Sequence, residues 1–332
     1  MTTTAPEPAV RRPTVRRRVT LVDLAWLTWR QHRWALLGTT AGTLLMCAWM
    51  LWNNHAIAEA FQRTCPGRHD CGQAPQLLAT ASTQLDAVAG FAGVIAVFWA
   101  APLLAREYEQ RTHLVVWGQD VSPARWFYGK VLVLGLASIV LALLLGFSAS
   151  AVTTEFGALS PYGDNLYYGR HFEAFAPMQV LYTTFGFALG LTLSAWFRRL
   201  LPALAGTLVV FTGVRVLADT LRFDYLPPVR LIGPIKNAFT EPLGNHLLVD
   251  TGYADAQGRT VAWPRACDVS GNATEIGDHW IACVRQHGIT QQYLDLQPAG
   301  RLITFRLIEC GIFLALTVAF GTLAWLRVRR AE

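Results

Sequence analysis

Four cysteines fall in two pairs, and each pair has neighbours able to ligate a metal. Cys65 and Cys71 close the short run CPGRHDC, which brings His69 and Asp70 beside Cys71. Cys267 stands ahead of His279, Cys283 and His287, three residues at four-residue steps that would share one face of a helix. Two chemistries compete: a pair of local disulfides, 65 to 71 and 267 to 283, or a thiolate and imidazole metal site. Paired thiols on an oxidising side of a membrane form disulfides, and Cys267 already supplies a partner for Cys283, so disulfides are expected and no metal. The other two pairings of the four thiols stay open. Cys47 and Cys310 lie within apolar runs, where a thiol packs as a small hydrophobe.

Catalytic signatures are absent. The only Gly-Lys step, Gly129-Lys130, is followed by Val131 and not by the Ser or Thr of a phosphate loop, and there is no H-E-x-x-H or G-x-S-x-G. The chain is therefore expected to move or sense something, not to transform it, and to hold no cofactor of its own.

The elements that must position these residues follow from the charges. Of 332 residues 15% are charged, against roughly 25% in an ordinary soluble domain. Six windows hold no Asp, Glu, Lys or Arg at all: 34–58, 87–105, 131–154, 174–197, 200–214 and 310–326. Outside them the charge density is ordinary. A helix needs about 20 apolar residues to cross the hydrocarbon layer, so each window is predicted as a span, the fifth reaching out to Arg215 and the sixth taking in Glu309. A soluble enzyme is excluded because no polar shell is left to cover six such runs. A nucleic-acid binder is excluded because the net charge of +6 gathers on no basic face.

With the N-terminus inside, sixteen basic residues fall on inner segments and three, Arg63, Arg68 and Arg170, in the two short outer loops. That bias places both termini in the cytoplasm. Val19 to Trp34 is read as an amphipathic helix lying in the inner interface, with Leu21, Leu24, Leu27 and Thr28 on one face. The third outer loop, 219–303, opens with three prolines (Pro227, Pro228, Pro234) that point to short helices dipping toward the membrane. It continues with a β-hairpin around 255–258 and ends in a cysteine-stapled lobe cored by Trp263 and Trp280.

Arg215 and Glu309 lie at similar depth in the outer leaflet, where an unpaired charge is costly, and are expected to pair. Asp219, four residues from Arg215, offers a local alternative. Gly38-x-x-x-Gly42 and Gly186-x-x-x-Gly190 permit close helix approach, either within one chain or at a dimer seam. The inner loop between spans 2 and 3, residues 105–130, clusters Arg106, Glu107, Glu109, Arg111 and Thr112, then turns at Ser122-Pro123 into Arg125, Trp126 and Lys130. A solvated loop and a docking element for a cytoplasmic partner fit these residues equally.

This loop resembles that of permease subunits of type-2 ABC exporters, at Glu107, Glu109, Thr112, Gln119, Ser122, Arg125, Trp126 and Lys130. W-x-x-W-R-Q-H-R at 26–33 and the pattern of Arg301, Phe305, Arg306, Glu309 and Gly311 are similar to the actinobacterial branch of that class. Arg111 departs from the pattern, since a Gly is common there before Thr112.

The resemblance implies a permease that dimerises and binds a separate cytoplasmic ABC ATPase carrying the ATP and Mg. The coupling residues would be Arg106, Glu107, Glu109, Arg111, Thr112, Arg125 and Trp126. Since the class dimerises largely through spans 1 and 5, Gly38 and Gly42 become the expected dimer interface. The expected fold is an all-α polytopic membrane protein of a bacterial plasma membrane. Six transmembrane helices would carry a small disulfide-stapled extracellular lobe between helices 5 and 6. The divisions are 1–33 (tail and interfacial helix), 34–218 (spans 1 to 5, with coupling loop 106–130), 219–303 (lobe), 304–326 (span 6) and 327–332 (tail). The expected function is outward transport of a hydrophobic or amphiphilic substrate, in contact with membrane lipid. The competing expectation is a non-transporting receptor or immunity-type protein that binds a ligand through the lobe.

Overall fold

The computed structural model describes residues 20–64, 75–111, 122–159, 166–234, 246–267 and 282–330. Among these, six helices are long and apolar enough to cross a membrane: Val22–Ala60, Ala79–Glu109, Ala124–Thr154, Ala176–Phe197, Leu200–Asp224 and Ala299–Arg329.

The first helix, α1 (Leu21–Thr64), is continuous over 44 residues, about 66 Å, twice the hydrocarbon thickness. The expected interfacial helix and the first span, divided at residue 33, are continuous as one helix. No Gly or Pro interrupts 21–37, and Thr20 and Asp23 close a reciprocal cap at its start, with Thr20 N–H to Asp23 Oδ2 at 2.8 Å and Asp23 N–H to Thr20 Oγ1 at 3.3 Å. Leu24 and Thr28 are buried while Trp26, Trp29 and Trp34 are exposed, so the narrow apolar face packs within the protein.

The second span is composite. Helix α2 (Pro75–Val94) passes through a π-helical turn, Ile95–Ala100, into α3 (Ala101–Glu109). Pro102 has no N–H to donate to the preceding turn. Further on, the Ser194 hydroxyl of a neighbouring helix accepts from the N–H groups of Leu104 (3.2 Å) and Ala105 (2.6 Å). Such turns mark places where a helix is re-aimed.

The third span is α4 (Pro123–Leu159), and a short helix α5 (Gly169–Glu173) leads into α6 (Ala176–Phe197). Helix α6 is the most buried of the six spans, touching α2, α3, α4, α7 (Leu200–Leu221) and α8 (Leu302–Arg329). Its small residues explain that position. A Cβ on Gly190 would stand 2.7 Å from both the Ala100 Cβ and the Ala96 carbonyl oxygen, so the Gly186-x-x-x-Gly190 pair is used for packing inside one chain.

The fold is mostly helical but not all-α, and here the expectation is corrected. Between α7 and α8 the chain builds an antiparallel sheet of four strands, β1 (Val229–Pro234), β2 (Leu247–Ala254), β3 (Thr260–Val261) and β4 (Gln291–Gln297), in the order β1-β4-β2-β3. Val229–Pro234 is a strand where short helices had been expected. Pro227 and Pro228 stop the helix, and Pro234 sits at the end of an edge strand, where a missing donor is tolerated. The hairpin around 255–258 is present as β2 and β3, with Gly258 at φ 77°. Arg230 and Asp295, opposite each other in the β1–β4 register, form a two-bonded ion pair at 2.8 and 2.7 Å. A disulfide joins Cys267 to Cys283, and beside it Val284 and Ile289 pack with Tyr253 and Trp263. Cys65, Cys71 and Trp280 lie outside the described residues.

The sheet is fastened to the bundle at named points. The Tyr167 hydroxyl donates to the Pro298 carbonyl at 2.6 Å, Gln297 Nε2 to the Leu226 carbonyl at 2.6 Å, and Arg301 Nη1 to the Pro227 carbonyl at 2.9 Å. Burial pushes the Tyr167 phenol up to about 12, so it remains a donor at any ordinary pH.

Candidate functional site

Two clusters of polar side chains, at opposite ends of the spans, hold the residues singled out in the sequence. The first lies where α3 ends and α4 begins. The Glu107 carboxylate pairs with the Lys130 ammonium, and these side chains are only 14% and 4% exposed. The ammonium lies 5.0 Å from the ring centroid of the buried Trp126. Two residues on, Glu109 Oε2 accepts the backbone N–H of Leu200 at 2.9 Å. A carboxylate there satisfies an orphan donor at the start of α7 and complements its dipole. Two carboxylates two residues apart at one helix end thus hold the starts of two different spans.

Arg106 and Glu109 also line a hollow of about 420 Å³ with Phe98, Pro102, Gln110, Leu200 and Leu204. Arg106 and Arg125 are exposed, and the Arg125 N–H bonds the Ser122 hydroxyl at 3.3 Å, which caps α4. Arg111 takes φ 55°, the left-handed conformation that a Gly adopts without steric cost, so the turn forms despite the departure from the usual residue. Thr112 lies outside the described residues.

At the other end, the expected ion pair between Arg215 and Glu309 is replaced by two others. Arg215 Nη2 binds Glu173 at 2.5 Å, and Arg222 Nε binds Glu309 at 2.9 Å, with a second contact from Arg222 Nη2 at 3.2 Å. Arg222 also reaches Asp219 through Nη1 at 2.7 Å. Arg215 and Glu309 share a neighbour instead. The Arg215 guanidinium stands 3.5 Å from the centroid of the Tyr182 ring, and the Tyr182 hydroxyl donates to Glu309 at 2.5 Å.

The reason lies in helix length and period. α7 and the turn after it run on to Asp224, and Arg222 is seven residues from Arg215 on the same face. It is therefore the arginine that reaches the first turns of α8. Glu173, the last residue of α5, closes the other side. That period was available in the sequence; the position of α5 was not, since nothing local says that a five-residue helix packs against α2 and so brings Glu173 to α7.

Gly38 and Gly42 face open space, since a Cβ on either would meet nothing within 4 Å. They border a shallow groove of about 390 Å³ with Thr39, Thr43, Met46 and Phe91. A longer groove, about 640 Å³, runs between α2 and α7 and ends at Arg170, Glu173, Arg215 and Asp219. Cys267, Cys283 and His287 bring their ligand atoms within 4.8 Å of one another, but both sulfurs are spent in the disulfide. A bonded sulfur is not a thiolate ligand.

A family model described as ABC-2 membrane transporter related matches residues 40–222, more than half of the chain, covering most of α1 through α7 and ending at Arg222. No curated protein matches the chain, and no solved structure does.

Proposed function

This chain belongs to the ABC-2 membrane transporter related family, and on that premise we propose that it is the permease subunit of an ATP-driven exporter. It is a multi-pass membrane protein with six candidate spans, as a transporter permease of this type requires. In our reading it moves a hydrophobic or amphiphilic substrate outward across a bacterial plasma membrane, with both termini and the α3–α4 junction in the cytoplasm. ATP and Mg bind a separate ATPase subunit. Two permease copies meet through a face that includes Gly38 and Gly42, where small residues allow a partner helix to approach.

One observation carries the reading: Glu107 holds the start of α4 through Lys130 while Glu109 holds the start of α7 through Leu200. A force applied by a cytoplasmic partner to this junction passes to spans 2, 3 and 5 together. A receptor that only binds a ligand through its outer lobe has no use for such a tie.

The test is copurification with the ATPase in mild detergent. Charge reversal at the exposed Arg106 should release the ATPase without changing the thermal stability of the permease. Glu107→Gln should keep the ATPase bound but lower substrate-stimulated hydrolysis. A permease that carries no ATPase, or whose ATPase binding ignores the reversal, would refute the assignment.

A further inference from the structure

The groove between α2 and α7 has a polarity that the transport reading leaves unused. Its walls are Val94, Val97 and Phe98 on one side and Leu208, Phe211 and Val216 on the other, with Gly90 and Gly93 thinning the α2 side. From Asp86 to Phe98 the helix climbs about 18 Å. The five charged lining residues gather at one extremity of the groove, where Asp86 pairs with Arg170 and Glu173 with Arg215, one helical turn before Asp219. A hollow of this volume is in the usual range for a small-molecule site.

The signs and exposures at that extremity decide what fits. Arg215 and Glu173 are committed to each other, at 12% and 11% side-chain exposure. What remains at the surface is Asp86 at 60%, with Arg170 at 3.1 Å and 35%, and Asp219 at 48%, bound by Arg222, which is itself 1% exposed. The accessible charge is therefore mostly carboxylate.

We propose that this groove binds an elongated amphiphile whose polar end carries a protonated amine. The apolar body lies along Val94, Phe98 and Leu208, and the ammonium meets Asp86 and Asp219. An anionic head would face the two exposed carboxylates, and an apolar helix of a second copy would bury the Asp86–Arg170 and Asp219–Arg222 pairs in hydrocarbon, at a desolvation cost. Only the statement that this ligand is the transported cargo rests on the function proposed above. The site itself needs no ATPase.

The experiment uses the full chain in nanodiscs of phosphatidylcholine and phosphatidylglycerol. The probes are two twelve-carbon chains with a terminal diazirine, one ending in a primary amine and one in a carboxylate. After irradiation, labelled peptides are mapped by mass spectrometry. The amine should label 93–98 and 208–216 at least about fivefold more than the carboxylate, and Asp86→Asn should lower amine labelling by about fivefold, the range of an ion pair at a partly exposed site. Asp86 is more than half exposed, so the variant should melt with the parent protein, which separates loss of a ligand contact from loss of fold.

Equal labelling by the two probes overturns the proposal. So does an unchanged result in Asp86→Asn, or a groove closed to both probes by the second copy. If the labelling is as expected but no ATPase copurifies, the binding site stands and the transport assignment falls. If the ATPase copurifies and the labelling shows no charge preference, the reverse holds.

Discussion

The ion pairs at the C-terminal end of α7 make the sharpest prediction, because the sequence and the structure choose different partners for Glu309. Glu309 and Arg222 are each 1% exposed and joined by two contacts, and Tyr182 and Tyr225 add hydroxyl bonds to the same carboxylate at 2.5 and 3.4 Å. Removing one member of a buried pair strands the other, which costs about 3 to 5 kcal/mol. Glu309→Gln and Arg222→Gln should each destabilise by an amount of that order. The double variant should lose little more than either single one, since the stranded charge has gone. The coupling between positions 222 and 309 is then at least about 2 kcal/mol, the upper part of the range for residues in one network. Arg215 touches Glu309 only by way of the Tyr182 ring. Its coupling to position 309 should stay below about 1 kcal/mol, while its coupling to Glu173 should match that of the other pair. The assay is reversible unfolding in mixed micelles, followed by tryptophan fluorescence, with four single variants and three doubles. A coupling of 215 to 309 as large as that of 222 to 309 would refute the assignment of partners.

Other outcomes follow from packing, redox state and pH. Gly190→Ala should destabilise by about 1 to 3 kcal/mol, because its Cβ would stand 2.7 Å from the Ala100 Cβ and the Ala96 carbonyl, whereas Gly38→Ala should leave the monomer fold unchanged; thermal melts of the two variants compare them directly. Reduction of the Cys267–Cys283 bridge, which spans 16 residues, should cost the lobe about 3 kcal/mol and leave the spans folded, read by hydrogen exchange of β2 and β4 against α6. Arg230 holds the Asp295 carboxyl below its ordinary range through two hydrogen bonds. A carboxyl lowered on folding contributes stability that is fully present above its unfolded pKa of about 3.9 and is lost as pH falls through the folded value. Protection of β1 and β4 against exchange should therefore drop below about pH 4, and Arg230→Gln should remove that acid-sensitive part.

Much of the architecture was legible because bilayers impose it. Charge-free windows of sufficient length have one use, and all six predicted windows lie within or nearly coincide with helices long enough to cross, from Val22–Ala60 to Ala299–Arg329. Pairing of Cys267 with Cys283 was the favoured of three pairings because both lie in one loop, and the β2–β3 hairpin was readable from turn residues close in sequence. The element β1 was misjudged because three prolines forbid helix without saying what replaces it. Its strand character comes from β4, more than 50 residues away in the chain.

Candidate polar residues divide in the same way. That Glu107, Glu109 and Lys130 gather at the junction of two spans follows from their places along the chain. That Glu109 reaches across to the Leu200 N–H, about 90 residues distant, depends on how α7 starts beside α3. The need for a partner for Glu309 was a sequence fact, since the solvation cost of a charge depends on depth alone. Which partner it takes was decided by tertiary structure, because Arg215 and Arg222 lie on one helix face and only the lateral placement of α5, α6 and α8 distinguishes them. A single chain fixes depth through hydrophobicity along its length, while the choice of neighbour at a given depth depends on the rotation and packing of helices, which Gly186 and Gly190 set by letting α6 approach the π-helical turn and Ser194 by bonding α3.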